Sequence, residues 1–140
     1  MEISAHIRND GSAHQVRLRT GGTTQPLAIA AREAGQGSAV NGGELLMAAL
    51  ATCYCNDLYR EAARLGIAIT GCEVVATAQF NGVGLAAESV VYSARVRSPA
   101  APEQVEALLD RRPPAFSSGR LWSPRLGYPR RPRFWHRLPV

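Results

Sequence analysis

One segment limits the fold more than any other: an apolar run, Leu45–Ala51, that opens a long stretch of helical character. Asn41 can cap this helix, and Glu44, three residues later, can return a side-chain hydrogen bond and complete a capping box. Gly66 provides the expected end of the helix. We therefore predict a helix over residues 43–65, which is about 34 Å long at 1.5 Å per residue.

The first half of this helix is apolar on every side, whereas its second half carries polar residues on one face only. A helix that is hydrophobic all round is normally buried all round. A chain of 140 residues has few other residues that could enclose such a helix. The pattern therefore predicts that a β-sheet or a partner subunit covers it.

The segments on either side of the helix alternate apolar and polar residues, as strands do. The opening runs ISAHIRND and GSAHQVRLR indicate a hairpin, and a short third strand is expected near Leu27–Ala30. After the helix, two β-branched runs joined at Asn81-Gly82 predict a second hairpin. Pro102 then begins a second helix. The order ββ(β)αββα predicts an α+β fold.

Length and composition favour one domain over residues 1–110. The hydrophobic content of 46% is typical of a globular protein. The longest apolar stretch is well short of the roughly 20 residues of a membrane helix, and the first residues show no pattern of a secretory signal. We expect a cytoplasmic protein without a membrane partner. Three cysteines in such a chain argue against a disulfide scaffold.

The segment 111–140 differs sharply from the rest. It holds eight arginines and no acidic residue, whereas residues 1–110 hold eight arginines and all 11 acidic residues, a net charge of −3. Six of the nine prolines and both tryptophans also lie there. Three interpretations stay open: an arginine arm for nucleic acid with stacking tryptophans, a disordered terminus, or a translated shifted reading frame. We favour the last and do not expect a nucleic-acid partner.

The cysteines have no partners that sequence alone identifies. On a helix, Cys53 and Cys55 point about 200° apart and cannot easily form a disulfide. The three histidines are scattered along the chain, so a metal site is not expected: His6, His14 and His136. Buried, inert packing is the default interpretation of any one of these thiols.

The segment GSAVNGGELLMAALATCYCNDLYREAARLGIAITGCEV resembles the osmotically inducible protein C and organic hydroperoxide resistance (OsmC/Ohr) family. The resemblance extends over residues 16–110 and is most specific around Leu45–Gly71. It implies an OsmC-like fold in which β-sheets wrap around central helices in an intertwined homodimer. This implication agrees with the all-round apolar helix.

The resemblance also implies roles for three residues. Cys53 falls on the position of the peroxidatic cysteine, whose thiolate attacks a hydroperoxide and becomes a sulfenic acid. Arg19 lies where the family peroxidases supply an arginine after the early strands. Glu44 lies one position after the glutamate of the family's Pro-Glu loop, whose place Gly43 takes, and it is equally well explained as a helix cap.

The family peroxidases also carry a second, resolving cysteine on their second long helix, and this chain has no cysteine after Cys72. The resemblance therefore implies a subgroup in which an external thiol reduces Cys53, without a cofactor. The expected function is thiol-dependent reduction of organic hydroperoxides in the oxidative stress response. The alternative is a non-catalytic protein that binds a small apolar ligand. We interpret Cys55 as a packing or interface residue.

Overall fold

The computed structural model describes residues 1–10, 13–33 and 36–110, with the backbone alone for Glu88. Its elements are β1 (Ile3–Asp10), β2 (Ala13–Thr20), β3 (Thr23–Leu27), α1 (Gly42–Leu65), β4 (Gly71–Phe80), β5 (Ala87–Arg97) and α2 (Pro102–Asp110). This order confirms the predicted α+β fold. The arginine-rich segment 111–140 lies outside the described residues. The chain divides into two compact units at Leu45, which are described separately below.

The first unit is an antiparallel sheet in the order β1-β2-β3. Thr20 pairs with Ile3 on one side and with Thr23 on the other. Gly21, with φ at +56°, adopts the left-handed conformation that this tight turn needs. Because pairing resumes directly after the two-residue turn, the third strand spans Thr23–Leu27 and not the predicted Leu27–Ala30.

Helix α1 begins with the predicted capping box. The backbone N–H of Glu44 donates to Asn41 Oδ1 at 2.9 Å, and the N–H of Asn41 donates to Glu44 Oε2 at 2.7 Å. Two of the backbone donors that have no partner within a helix are satisfied in this way. The helix start is thus fixed by local hydrogen bonds, which is why the sequence predicted it to within one residue.

The other end of α1 closes with a Schellman motif around Gly66. Gly66 has a φ of +69°, and its N–H donates to the carbonyl of Ala63 at 3.2 Å. The N–H of Ile67 donates to the carbonyl of Ala62 at 2.9 Å. Ala62 and Ile67 are both buried in the core of the second unit. This confirms Gly66 as the predicted end of the helix.

The second unit packs α1 and α2 against the antiparallel hairpin β4-β5. Tyr92, Ala94 and Val96 face the core, as their alternation predicts, and Arg95 and Arg97 are exposed. The buried side chains of this core are Tyr54, Leu58, Ala62, Ile67, Ala94 and Leu108. The ring of Tyr54 contacts that of Tyr92 edge to face, with 5.8 Å between their centroids.

Within the second unit, the apolar half of α1 is only partly covered. Leu50 is buried, but Ala48 and Ala49 are exposed. The predicted partner subunit would cover such a surface, and the homodimer stays a prediction. Of the helices that the structure describes, none has the length and apolar character to cross a bilayer.

Candidate functional site

Cys53 lies in the middle of α1 with a free, exposed thiol. Residues four and seven positions later on a helix are turned about 40° and 20° from the first. Asp57 and Arg60 occupy these positions, so the thiol shares one side of α1 with a carboxylate and a guanidinium. An exposed thiol can meet a solvent-borne oxidant, which is the first requirement for redox chemistry.

The ion pair beside Cys53 is half buried. Asp57 is 4% exposed, and its Oδ1 accepts a short hydrogen bond from Nη1 of Arg60. Among the residues that the structure describes, Asp57 Oδ2 has no hydrogen-bond partner. Both residues belong to the polar second half of the predicted helix, which by itself gave them no functional role. Their spacing from Cys53 was the signal that could have identified them.

Arg19 lies at the end of β2 in the first unit and is exposed. Its Nε donates to the backbone carbonyl of Gly21 at 2.8 Å. The side chain therefore stabilises the turn between β2 and β3. Its predicted role beside the reactive thiol stays a prediction.

Glu44 lies in the first turn of α1 and is exposed. Its carboxylate is bound within the capping box with Asn41. A carboxylate near a helix N-terminus is also stabilised by the helix dipole. Glu44 therefore has a structural role at the start of α1, and its catalytic role stays a prediction.

Cys55 and Cys72 come together from different elements of the second unit. Cys72 is the second residue of β4 and packs against the core. Burial, then the neighbouring charge of Cys55, then a hydrogen bond to Cys55 raise the pKa of Cys72 to about 12. Burial, followed by the charges of Cys72 and Asp110, raises the pKa of Tyr54 as well. The sequence pattern indicated a packing or interface role for Cys55 and gave no sign of this contact with Cys72.

The described residues contain no group of three or more His, Cys, Asp or Glu side chains that could hold a metal ion. Cys53 is one exposed thiol, and Cys55 with Cys72 is a second, half-buried thiol group.

Comparisons with known proteins bear on the family and the fold of this chain. A family model described as OsmC-like protein matches residues 35–112, more than half of the chain. No curated protein matches the chain. The fold is similar to that of an OsmC-like protein from Mycoplasma pneumoniae, with 15% sequence identity, a TM-score of 0.59 and 96% of each chain covered.

A second crystal structure, from Legionella pneumophila, is described as an organic hydroperoxide resistance protein OsmC and a predicted redox protein. It shares 19% sequence identity with this chain, with a TM-score of 0.53 and 91% of each chain covered. At these identities the two structures show the fold alone. The match of the family model over residues 35–112 shows that the chain belongs to the OsmC-like protein family.

Proposed function

We propose that this chain is a thiol-dependent peroxidase that reduces organic hydroperoxides through Cys53 in the oxidative stress response. The observation that carries the proposal is the free, exposed thiol of Cys53 on α1 of an OsmC-like domain. The description of the Legionella pneumophila structure as a hydroperoxide resistance protein supports the same substrate class. We further propose a cytoplasmic homodimer.

The proposed reaction has two stages. The Cys53 thiolate attacks the peroxide O–O bond and forms an S–O bond, and the leaving alkoxide takes a proton to become an alcohol. One external thiol then attacks the sulfenic acid, releases water and forms a mixed disulfide with Cys53. A second external thiol attacks this disulfide, which returns Cys53 to the thiol and releases the oxidised reductant.

We propose Arg19 and Glu44 as supports of the reactive thiol, on the family resemblance. Arg60 lies on the same side of α1 as Cys53, where its guanidinium pairs with Asp57.

The test measures consumption of cumene hydroperoxide with dithiothreitol as the reductant. Wild type is compared with Cys53→Ser and with the matched control Cys55→Ser, two positions along the same helix. We expect Cys53→Ser to lose at least about 99% of the rate, because a hydroxyl cannot form a sulfenic acid. Cys55→Ser should keep most of the wild-type rate. A dimedone adduct, which marks a sulfenic acid, should form at Cys53.

Equal rates in wild type and Cys53→Ser would refute the role of Cys53. An absence of turnover, with Cys53 still reduced after exposure to peroxide, would refute the peroxidase and favour the non-catalytic binding alternative. In that case a small apolar ligand should bind equally well to wild type and Cys53→Ser.

A further inference from the structure

Cys55 and Cys72 are 17 positions apart in the chain, yet the fold brings their thiols together. Cys55 lies three positions before Leu58 and seven before Ala62, which are buried against the hairpin. This spacing places all three on one side of α1. Cys72 packs against the same core from β4, where it pairs with Val96. The two thiols therefore meet between α1 and the sheet.

Both thiols are free, and both are half buried. A half-buried position excludes large proteins but admits a small oxidant. Cys55 and Cys72 are thus in contact, partly exposed and on two separate elements. A pair with these features can form a cross-link.

We propose that Cys55 and Cys72 form a dithiol couple that closes to an intrachain disulfide between α1 and β4, as a redox site separate from Cys53. The oxidant is a low-molecular-weight disulfide. The site does not depend on the proposed peroxidase activity, because it needs neither Cys53 nor a hydroperoxide.

The reaction is two successive thiol–disulfide exchanges. The Cys55 thiolate attacks one sulfur of the small disulfide, which breaks its S–S bond and releases one small thiolate. This thiolate takes the proton of the Cys72 thiol, and the Cys72 sulfur attacks the Cys55 sulfur, which breaks the mixed disulfide. The second small thiolate leaves and takes up the proton that Cys55 had lost. Two protein thiols are oxidised, and one small disulfide is reduced to two thiols.

The order of attack follows from the protonation of Cys72. Burial is the main cause that raises the pKa of Cys72 to about 12, so this side chain is almost wholly a thiol near neutral pH. Since only a thiolate attacks a disulfide effectively, Cys72 is a poor first nucleophile, and the first attack is assigned to Cys55.

The test uses full-length Cys53→Ser protein and dithiodipyridine, a small aromatic disulfide whose released thiopyridone absorbs light. We expect two equivalents of thiopyridone per chain and no retained adduct. Trypsin should yield one disulfide-linked pair of peptides, residues 33–60 with residues 65–95, and the protein should run as a single chain on a non-reducing gel.

Two double variants test the order. Cys53→Ser/Cys72→Ser should release one equivalent and keep a stable adduct on Cys55. Cys53→Ser/Cys55→Ser should react at least about tenfold more slowly at neutral pH than Cys53→Ser/Cys72→Ser, because its remaining thiol, Cys72, is mostly protonated. Separate adducts on Cys55 and Cys72 in the Cys53→Ser protein, or a disulfide between two chains, would overturn the proposal.

Discussion

Among single residues, Cys72 has the clearest dependence on pH. Its pKa is raised from 9.0 to about 12, so the folded state holds its proton more tightly than the unfolded chain does. The resulting stabilisation is complete below pH 9 and is lost as the pH rises from 9 towards 12. The raised pKa of Tyr54 acts in the same direction at higher pH.

We therefore predict that the free energy of unfolding falls as the pH is raised from 8 to 11. Urea unfolding at several pH values measures this fall. Cys72→Ser should give a flatter profile, because serine has no titration in this range. A wild-type profile as flat as that of the variant would contradict the raised pKa of Cys72.

Arg60 is the second residue whose substitution should change the free energy of unfolding. Its removal leaves the buried carboxylate of Asp57 without its ion-pair partner. We expect Arg60→Ala to lower the free energy of unfolding by about 1–2 kcal/mol. The loss is no larger because solvent already screens the exposed guanidinium of Arg60.

The control for Arg60→Ala is Arg8→Ala, which removes an ion pair whose two side chains are 67% and 74% exposed. This change should cost less than about 0.5 kcal/mol in urea unfolding. Equal losses of unfolding free energy for the two substitutions would mean that the burial of Asp57 does not strengthen its ion pair.

At the scale of elements, the end of α1 depends on the left-handed conformation of Gly66. Alanine in this conformation costs about 1–2 kcal/mol, and no side-chain clash adds to it because no atom lies within 4 Å of the added Cβ. We predict that Gly66→Ala lowers the melting temperature.

Gly42→Ala is the matched control at the other end of α1. The added Cβ again meets nothing within 4 Å, and Gly42 has no positive φ. This substitution should leave the melting temperature unchanged or raise it, because alanine loses less backbone entropy in a helix than glycine. A fall as large as that of Gly66→Ala would show that backbone conformation is not the cause.

At the scale of the whole molecule, the main prediction is a homodimer. Ala48 and Ala49 leave an exposed surface on the apolar half of α1, which the sequence predicts to be covered. Light scattering at micromolar concentration should give about twice the chain mass of 15.0 kDa. A single-chain mass under these conditions would contradict the predicted homodimer.

The sequence by itself determined the parts of the protein that depend on short-range contacts. Asn41 with Glu44 and the glycine at 66 define the ends of α1, because their hydrogen bonds join residues at most five positions apart. Strand alternation defined the core face of β5 for the same reason. The third strand was misplaced because its start depends on pairing with Thr20. The role proposed for Cys53 came from family resemblance.

Only the tertiary structure decided which side chains meet across elements. Cys55 and Cys72 lie on a helix and a strand, and no periodicity within either element encodes their contact. The same holds for Asp57, whose burial depends on what packs against α1. Contacts between elements are set by the packing of the whole core, and local sequence patterns do not specify that packing.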